Sequence, residues 1–546
     1  MQNQSMNVNH GLWTRYPAKK DRGILWCILL LATFLRFNGL NEPGLWLDEV
    51  SYTRAAQKPI INQITNSTET LGGYLSVDPT LSAIPFTLSL KVGFSGFLAR
   101  FPAAIFGILG VAFIYRMGRT LFGNIVGLLA ALLLCTSSFH ILYSQEARSY
   151  AQFVFFSIAS FLFLYQAITR RRLVHWILYV FSTWLGVSTN HLMIFTVGTQ
   201  GFFLVSVSLL HIFRAENRSN VARSCLRLFG GFSLSLVLVF LMRLPWLEDF
   251  TERQCYGCDI GNPSSNLELM RPLLDIVREF AGFNPIIILI WVTFCLLGLV
   301  FALYYFPTRG ILIGSWMILS VFATTFGLWF ISLFFHPRYV IWGLPAFLLA
   351  VACGLVRVGN LVQRYLLNVS AVPFSKVNYA GFLLIGVLII PLVVNGLWQA
   401  QNNPAIKRSW PLGQLQEATN YLATEAKIGE VIIGVPNAQH LRFYLQLTRP
   451  DLLYLDATST ELPTQLSGRW YVFYGMQTVP ERWHTEVTLQ EFHDILTVYR
   501  PHPCPIEDCL AEASLLLSEV SMANPDSAIK EKVSLMLSGL SNVPIH

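Results

Sequence analysis

Eleven apolar stretches punctuate the first 400 residues of this chain, near 24–40, 98–116, 122–141, 150–168, 175–190, 192–213, 228–246, 285–305, 311–333, 338–356 and 379–399. A helix needs about 17–25 apolar residues to cross a bilayer. Backbone inside hydrocarbon must satisfy its own hydrogen bonds, so runs of this kind fold as helices. Only 13% of the 546 residues are charged and 53% are hydrophobic, against roughly 25% charged in soluble domains. The chain is a polytopic, all-α membrane protein over these stretches.

Charge placement orients the spans. With residues 1–23 in the cytoplasm, Arg116/Arg119, Arg170–Arg172, Arg214/Arg218/Arg223/Arg227, Arg309 and Arg357/Arg364/Lys376 all fall on the cytoplasmic side, the usual bias of membrane proteins. The N-terminal apolar run follows Lys19, Lys20 and Arg22 like a signal peptide, but no small-residue cleavage site follows it, so it is expected to be retained as a span. The net charge of +7 lies in short connectors, without the aromatic-interleaved basic stripe that tracks a phosphate backbone. Nucleic acid is therefore not an expected partner; the lipid bilayer is.

Two stretches need arbitration. The run 175–213 has Arg-rich segments on both flanks, which share the cytoplasm only if the run crosses twice, turning at Ser188-Thr189-Asn190-His191. Residues 80–97 are apolar, but a crossing there would place Arg170–Arg172 outside, so an interfacial or re-entrant segment is expected. The spans then form a transmembrane domain over 24–400 with a first outer loop at 41–97. Residues 401–546 follow as a soluble extracytoplasmic domain and tail.

In that C-terminal region an amphipathic helix signal (Leu415–Ala426) precedes short β-rich runs at Glu430–Val435, Leu452–Leu455, Arg469–Tyr474 and Ile495–Tyr499. Helical and strand signals in alternation predict a small α/β domain with a mostly parallel sheet. The last 35 or so residues predict a polar helical tail. Of nine cysteines, Cys27, Cys135, Cys225, Cys295 and Cys353 lie in or beside spans, as small apolar residues. Cys255/Cys258 and Cys504/Cys509 fall outside, close in sequence, and suit two disulfides, Cys255–Cys258 and Cys504–Cys509; a metal half-site is the alternative.

The polar residues that survive in so apolar a chain gather on the outer face. Asp48 and Glu49 stand in Leu45-Trp46-Leu47-Asp48-Glu49-Val50, Gln145–Tyr150 in the second outer loop, His191 in the third turn, and Arg338-Tyr339 at a late span start. Ionisable groups at a membrane's edge are functional candidates by default. A carboxylate can take a proton from a hydroxyl, and Arg grips phosphate bidentately. Each residue also has a plainer role. Asp48 and Glu49 suit the start of a helix, Glu146 and Arg148 the interface, and His191 a tight turn. Arg36 and Arg100 are expected to snorkel at span ends, and Arg338 suits snorkelling or phosphate contact.

Leu35-Arg36-Phe37 with Leu45–Glu49, Leu98–Ala104 through Gly118–Gly123, and Tyr143–Ala151 resemble the GT-C membrane glycosyltransferases. The resemblance is to the branch of protein O-mannosyltransferases and the lipid A aminoarabinose transferase (bacterial glycosyltransferase family 39-like). Asn190-His191 and Arg338-Tyr339 with Pro345 are weaker matches, and the resemblance covers roughly the first 360 residues. One motif departs: Asp78-Pro79-Thr80-Leu81-Ser82 stands where many relatives carry a His-Pro-Pro-Leu-Tyr-like run.

The resemblance implies transfer of a sugar from a polyprenyl-phosphate donor to an acceptor hydroxyl on lipid, glycan or protein, outside the cytoplasm at the plasma (inner) membrane. Asp48 is then the expected general base, with Glu49 and Glu146 orienting it. Arg338, Arg148 and Tyr339 would hold the donor phosphate, and Gln145, Tyr150 and His191 would contact substrate. A divalent metal (Mg or Mn) at Asp48 and Glu146 is permitted, not required. A transporter or flippase of lipid-linked sugars is the alternative function.

Overall fold

The computed structural model describes residues 18–41, 80–214, 218–244, 266–330, 336–369, 374–402, 412–426, the strands at 431–435, 453–456, 469–474, 488–492 and 495–500, and single positions including 45, 49–50, 52–53, 56, 60, 445 and 449. The chain divides into two compact units, one of Met1–Asn41 with Ser51–Lys407, the other of Glu42–Val50 with Arg408–His546.

The first unit is helical. Its elements are α1 (Ala18–Phe37), α2 (Ile84–Leu90), α3 (Gly96–Phe122), α4 (Asn124–Thr136), α5 (Ser138–Ser144), α6 (Tyr150–Arg170), α7 (Leu173–Val187), α8 (Met193–Arg214), α9 (Arg218–Arg243), α10 (Asn266–Ala281), α11 (Pro285–Tyr305), α12 (Pro307–Phe330), α13 (Leu344–Val369) and α14 (Phe374–Asn402). Each of the eleven expected stretches carries a helix. Eight described helices are long and apolar enough to cross a membrane, nine if α4 and α5, bent by 63° at their junction, make one broken span. The other two stretches fall on α1, whose ends carry Lys19, Lys20 and Arg36, and on the 15-residue α7. Residues 80–90 form a 3-10 turn (Thr80–Ala83) and the seven-residue α2, too short to span at 1.5 Å per residue.

Local chemistry sets several boundaries. Ser95 caps α3 by accepting from the Leu98 amide at 3.1 Å, and Asn284 caps α11 by accepting from Ile286 at 2.9 Å, ahead of Pro285 at the first helical position. Such caps satisfy amides that a helix start leaves orphaned. The turn expected at 188–191 is present, with Ser188, Thr189 and Asn190 buried. Between α4 and α5, Ser137 leaves helical geometry (ψ 116°) and its hydroxyl accepts from the His140 amide at 3.4 Å. A serine bonding locally in this way competes with the helical ladder.

Small residues let helices approach. α11 and α13 meet at Gly298 and Gly354, where an added Cβ would strike the Ala350 and Phe294 carbonyl oxygens respectively. Membrane helices associate through such close packing rather than through apolar burial alone. Phe161 stacks on Trp316 at 4.1 Å, and the Trp316 indole donates to the Trp342 carbonyl at 2.7 Å. Tyr179 donates to Gln200 (2.8 Å) and Gln200 to Ser160 (2.8 Å), a buried chain joining α6, α7 and α8.

In the second unit α15 (Leu412–Glu425) precedes β1 (Val431–Val435), β2 (Leu453–Asp456), β3 (Arg469–Tyr474), β4 (Thr488–Phe492) and β5 (Ile495–Arg500). The sheet order is β2-β1-β3-β5-β4. The expectation of a mostly parallel sheet is corrected: β1 is parallel to β2 and β3, but β5 runs antiparallel to both β3 and β4. β4 and β5 are separated by only two residues, and a connection so short permits only antiparallel pairing. The expected tail and the pairs Cys255/Cys258 and Cys504/Cys509 lie outside the described residues.

Candidate active site

The bend between α5 and α6 brings the polar residues of the loop between them into the protein interior. Glu146 is fully buried and Arg148 is 8% exposed. The loop is tight, with the Arg148 amide donating to the Glu146 carbonyl at 2.7 Å. Tyr150 opens α6 and is likewise buried. Its ring packs edge-on against Tyr143 at 5.1 Å, and Tyr143 packs on Phe139, Phe139 on Phe280 and Phe280 on Phe347. This chain of rings runs from α5 through α10 to α13 and fixes the aromatic face that Tyr150 presents.

Two guanidinium groups lie over the Tyr150 ring. The Arg148 Cζ lies 5.7 Å from the Tyr150 ring centre and 5.8 Å from that of Tyr52. Arg338 Cζ lies 5.7 Å from Tyr150 and 5.5 Å from Tyr339. The two cations are 190 residues apart in sequence and share one phenol ring. An aromatic quadrupole attracts a cation at such a distance, by about 0.5–2 kcal/mol, and offsets part of the repulsion between them.

Arg338 is held by its own turn. It lies in a 3-10 helix (Pro337–Gly343) whose preceding residue, His336, accepts from the Arg338 amide through Nδ1 at 3.2 Å. At the other end the Trp342 indole donates to Thr324 Oγ1 at 3.3 Å, and the Trp342 carbonyl receives Trp316. Asn190, fully buried, donates to Ser149 Oγ at 3.2 Å and accepts from the Leu192 amide at 3.0 Å. That bond ties the half-buried His191 turn to the loop carrying Arg148.

Gln145, Glu146, Arg148, Tyr150, His191, Arg338 and Tyr339 thus share one end of the bundle. Glu49 is buried and in helical conformation, in the other compact unit. Asp48 and Asp78 lie outside the described residues. Among the described residues no group of three His, Cys, Asp or Glu could hold a metal ion.

Arg36 and Arg100 require correction, because neither snorkels. Both are buried, at 0% and 1% exposure. Arg100 donates to the Leu40 carbonyl at 3.1 Å, and Arg36 donates to carbonyls at the end of α4 (below). Helix ends inside a bundle leave carbonyls that need donors, and a guanidinium carries five.

Other contributors carry little sequence signal. Tyr52 places its ring beside Arg148 and donates to Ser82 Oγ at 2.6 Å; Ser82 stands where the resemblance leads one to expect Tyr. Gln152 is 1% exposed, and its side-chain amide has no hydrogen-bond partner among the described residues. Outside the spans, burial and then the neighbouring Asp275 push the Glu279 carboxyl up to about 7 on α10. Glu279 immediately precedes Phe280 of the ring chain.

Known proteins supply a frame for this geometry. Residues 78–242 match the family model described as dolichyl-phosphate-mannose-protein mannosyltransferase. No curated protein matches by sequence. The structure is similar to ArnT from Cupriavidus metallidurans in the apo state, at 15% identity and TM-score 0.55, covering 88% of this chain and 98% of that one. ArnT from the same organism bound to undecaprenyl phosphate aligns at 13% identity and TM-score 0.52, with the same coverage. The Archaeoglobus fulgidus oligosaccharyltransferase aligns at 13% identity and TM-score 0.48, over 81% of this chain and 65% of that one. The bundle has the GT-C fold.

Proposed function

We propose that this GT-C-fold membrane protein is a glycosyltransferase that moves a sugar from a polyprenyl-phosphate donor to an acceptor hydroxyl. The observation that carries the reading is the convergence of Arg148 and Arg338 on Tyr150. Two guanidinium groups at the lip of an apolar bundle suit the phosphate of a lipid whose chain lies in the bilayer. The match of residues 78–242 to a mannosyltransferase family model supports the same chemistry, as does the likeness to a structure holding undecaprenyl phosphate.

In this reading Asp48 is the general base. It takes the proton of the acceptor hydroxyl as that oxygen forms its bond to the anomeric carbon. The bond from that carbon to the phosphate oxygen breaks, and polyprenyl phosphate departs as an anion held by Arg148, Arg338 and Tyr339. A single displacement of this kind inverts the anomeric centre. Glu49 and Glu146 orient the base, and Tyr150 and His191 face the substrates. A divalent metal, where the reaction uses one, would be held by Asp48 and Glu146. We place the site on the extracytoplasmic side of the plasma (inner) membrane, and assign the acceptor to lipid, glycan or protein. The family-model match favours a transferase over the alternative, a flippase of lipid-linked sugars.

The test is incubation of the purified protein, in lipid nanodiscs, with a panel of polyprenyl-phosphate sugars, with and without EDTA. Release of polyprenyl phosphate is read by mass spectrometry. We expect one donor to be turned over, and Asp48→Asn to slow it by about 10²-fold or more, the usual worth of a general base. Release from no donor overturns the transferase reading; a near wild-type rate in Asp48→Asn removes only the base. Loss of turnover in EDTA would show that the reaction needs the metal.

A further inference from the structure

The end of α1 and the break after α4 are joined by two side chains that cap in opposite directions. From α1, Arg36 Nη1 donates to the Ala32 carbonyl of its own helix at 3.2 Å and to Cys135 at 3.3 Å. Its Nη2 donates to Leu134 at 3.3 Å and to His140 Nδ1 at 2.7 Å. Leu134 and Cys135 are in the last turn of α4, whose carbonyls the 63° bend withdraws from the helical ladder. In return, the Gln145 side-chain nitrogen, one residue past α5, donates to Asn38 at 2.9 Å, Leu35 at 3.1 Å and Arg36 at 3.4 Å. These are the orphan carbonyls at the end of α1.

The junction is close-packed. Arg36 and His140 are fully buried. A Cβ at Gly107 of α3 would strike Ser144 Oγ and come within 2.8 Å of Arg36 Nε. Because guanidinium only donates, His140 Nδ1 must accept, so the ring is neutral with its proton on Nε2. A negative helix end is the natural counterpart of a buried cation, and here it stands in for a carboxylate. Removing Arg36 leaves buried carbonyls without a donor, a costly state; the carbonyls that Gln145 caps are part-buried at Leu35 and Arg36 and exposed at Asn38.

We propose that Arg36 and Gln145 are positioning residues that act as one reciprocal cap, holding the α5–α6 bend in the shape that presents Glu146 and Arg148. The assignment gives Gln145 a task other than the substrate contact expected from sequence. Its side-chain nitrogen is committed to α1, and Glu146 is the next residue along. The effect on turnover rests on the transferase reading; the effect on the bend does not.

The experiment compares wild type, Arg36→Met, Gln145→Met and the double variant, all as full chains in nanodiscs. Backbone hydrogen exchange is read in peptides covering 137–149. We expect exchange there to rise at least tenfold in Gln145→Met while α11 and α13 keep their protection. The double variant should be no worse than the worse single one, since a cap acting as a unit is broken by either change. Unchanged exchange at 137–149, or an increase spread evenly over the bundle, overturns the proposal. Should Arg36→Met not fold, Gln145→Met alone decides it by the same measure. Where wild type turns over a donor, kcat of Gln145→Met should fall at least tenfold, with KM for the donor rising as Arg148 loses its place. A raised KM at unchanged kcat overturns the link to Glu146. If wild type turns over no donor, the transferase reading fails and the exchange result still stands.

Discussion

Arginine is used in two ways in this bundle. At the α1–α4 junction Arg36 is met by backbone carbonyls. Arg309 repeats the arrangement elsewhere, donating to the Leu121 carbonyl at 2.5 Å and to the Tyr165 hydroxyl at 3.2 Å. Around Tyr150, Arg148 and Arg338 lie over a ring, as Arg309 also does over Phe306 at 4.9 Å. A carbonyl engages the N–H edge of a guanidinium, the edge that a phosphate would also use, whereas a ring engages its face. In the proposed reading, the cations bound by carbonyls hold the scaffold and the pair that shares the Tyr150 ring meets an anion. Burial alone would not have told them apart, since Arg36 and Arg148 are both buried.

The comparison can be broken most sharply at Arg338. If it meets an anion, Arg338→Ala should weaken polyprenyl-phosphate binding by about 10–100-fold, as expected for a charge-assisted hydrogen bond worth about 1.5–3 kcal/mol, without lowering the melting temperature. Binding measured in nanodiscs and found unchanged would return Arg338 to the scaffold class. On the scaffold side, Gly107→Ala forces a methyl against Ser144 and Arg36. It should cost about 1–3 kcal/mol, as overpacking does, and lower the melting temperature; a neutral result would show that the junction can yield.

Smaller changes sharpen the picture. Tyr150→Leu removes the shared ring and should weaken lipid-phosphate binding by about five- to tenfold, given about 0.5–2 kcal/mol per cation–π contact; Tyr150→Phe should restore it. Equal loss in both variants would point to the hydroxyl instead. His336→Ala removes the cap of the Arg338 turn, an effect of about 1 kcal/mol that His336→Asn should repair; binding that ignores both variants would show the turn to be held by Trp342 alone. The last prediction concerns pH. The fold favours the neutral Glu279 carboxyl, raised from 4.5 to about 7. Its stabilising contribution is therefore complete below the ordinary value and is lost as pH climbs through 7. Melting temperature should fall over that window in wild type and less in Glu279→Gln; identical profiles would dismiss the shift.

How much of this could be read in advance follows from the range of the forces involved. The spans were legible because apolar runs of bilayer length leave helices few alternatives. The turn at Ser188–His191 was legible because charge on both flanks required it. Arg36 was misjudged because its position at a helix end is local information, while its partners at Leu134 and Cys135 lie 98 and 99 residues away. Gln145 stood inside a recognisable motif, yet nothing in the motif reveals which way an amide points. Tyr52 carried no signal until packing set it beside Arg148. In the sheet, Thr488–Phe492 has too short and polar a pattern to announce a strand, and without it the antiparallel half is invisible. The resemblance named the acidic motifs, but which arginine serves which master needed coordinates.

The glycine contacts between α11 and α13 bear on how the proposed site would work. With Gly298 and Gly354 seated against opposing carbonyls, neither helix can slide along the other without collision, so the pair is a fixed wall. The 3-10 turn bearing Arg338 runs directly into α13. An arginine mounted on an unyielding wall does not travel to its ligand; the lipid must come to it. Little reorganisation of that wall would then accompany binding.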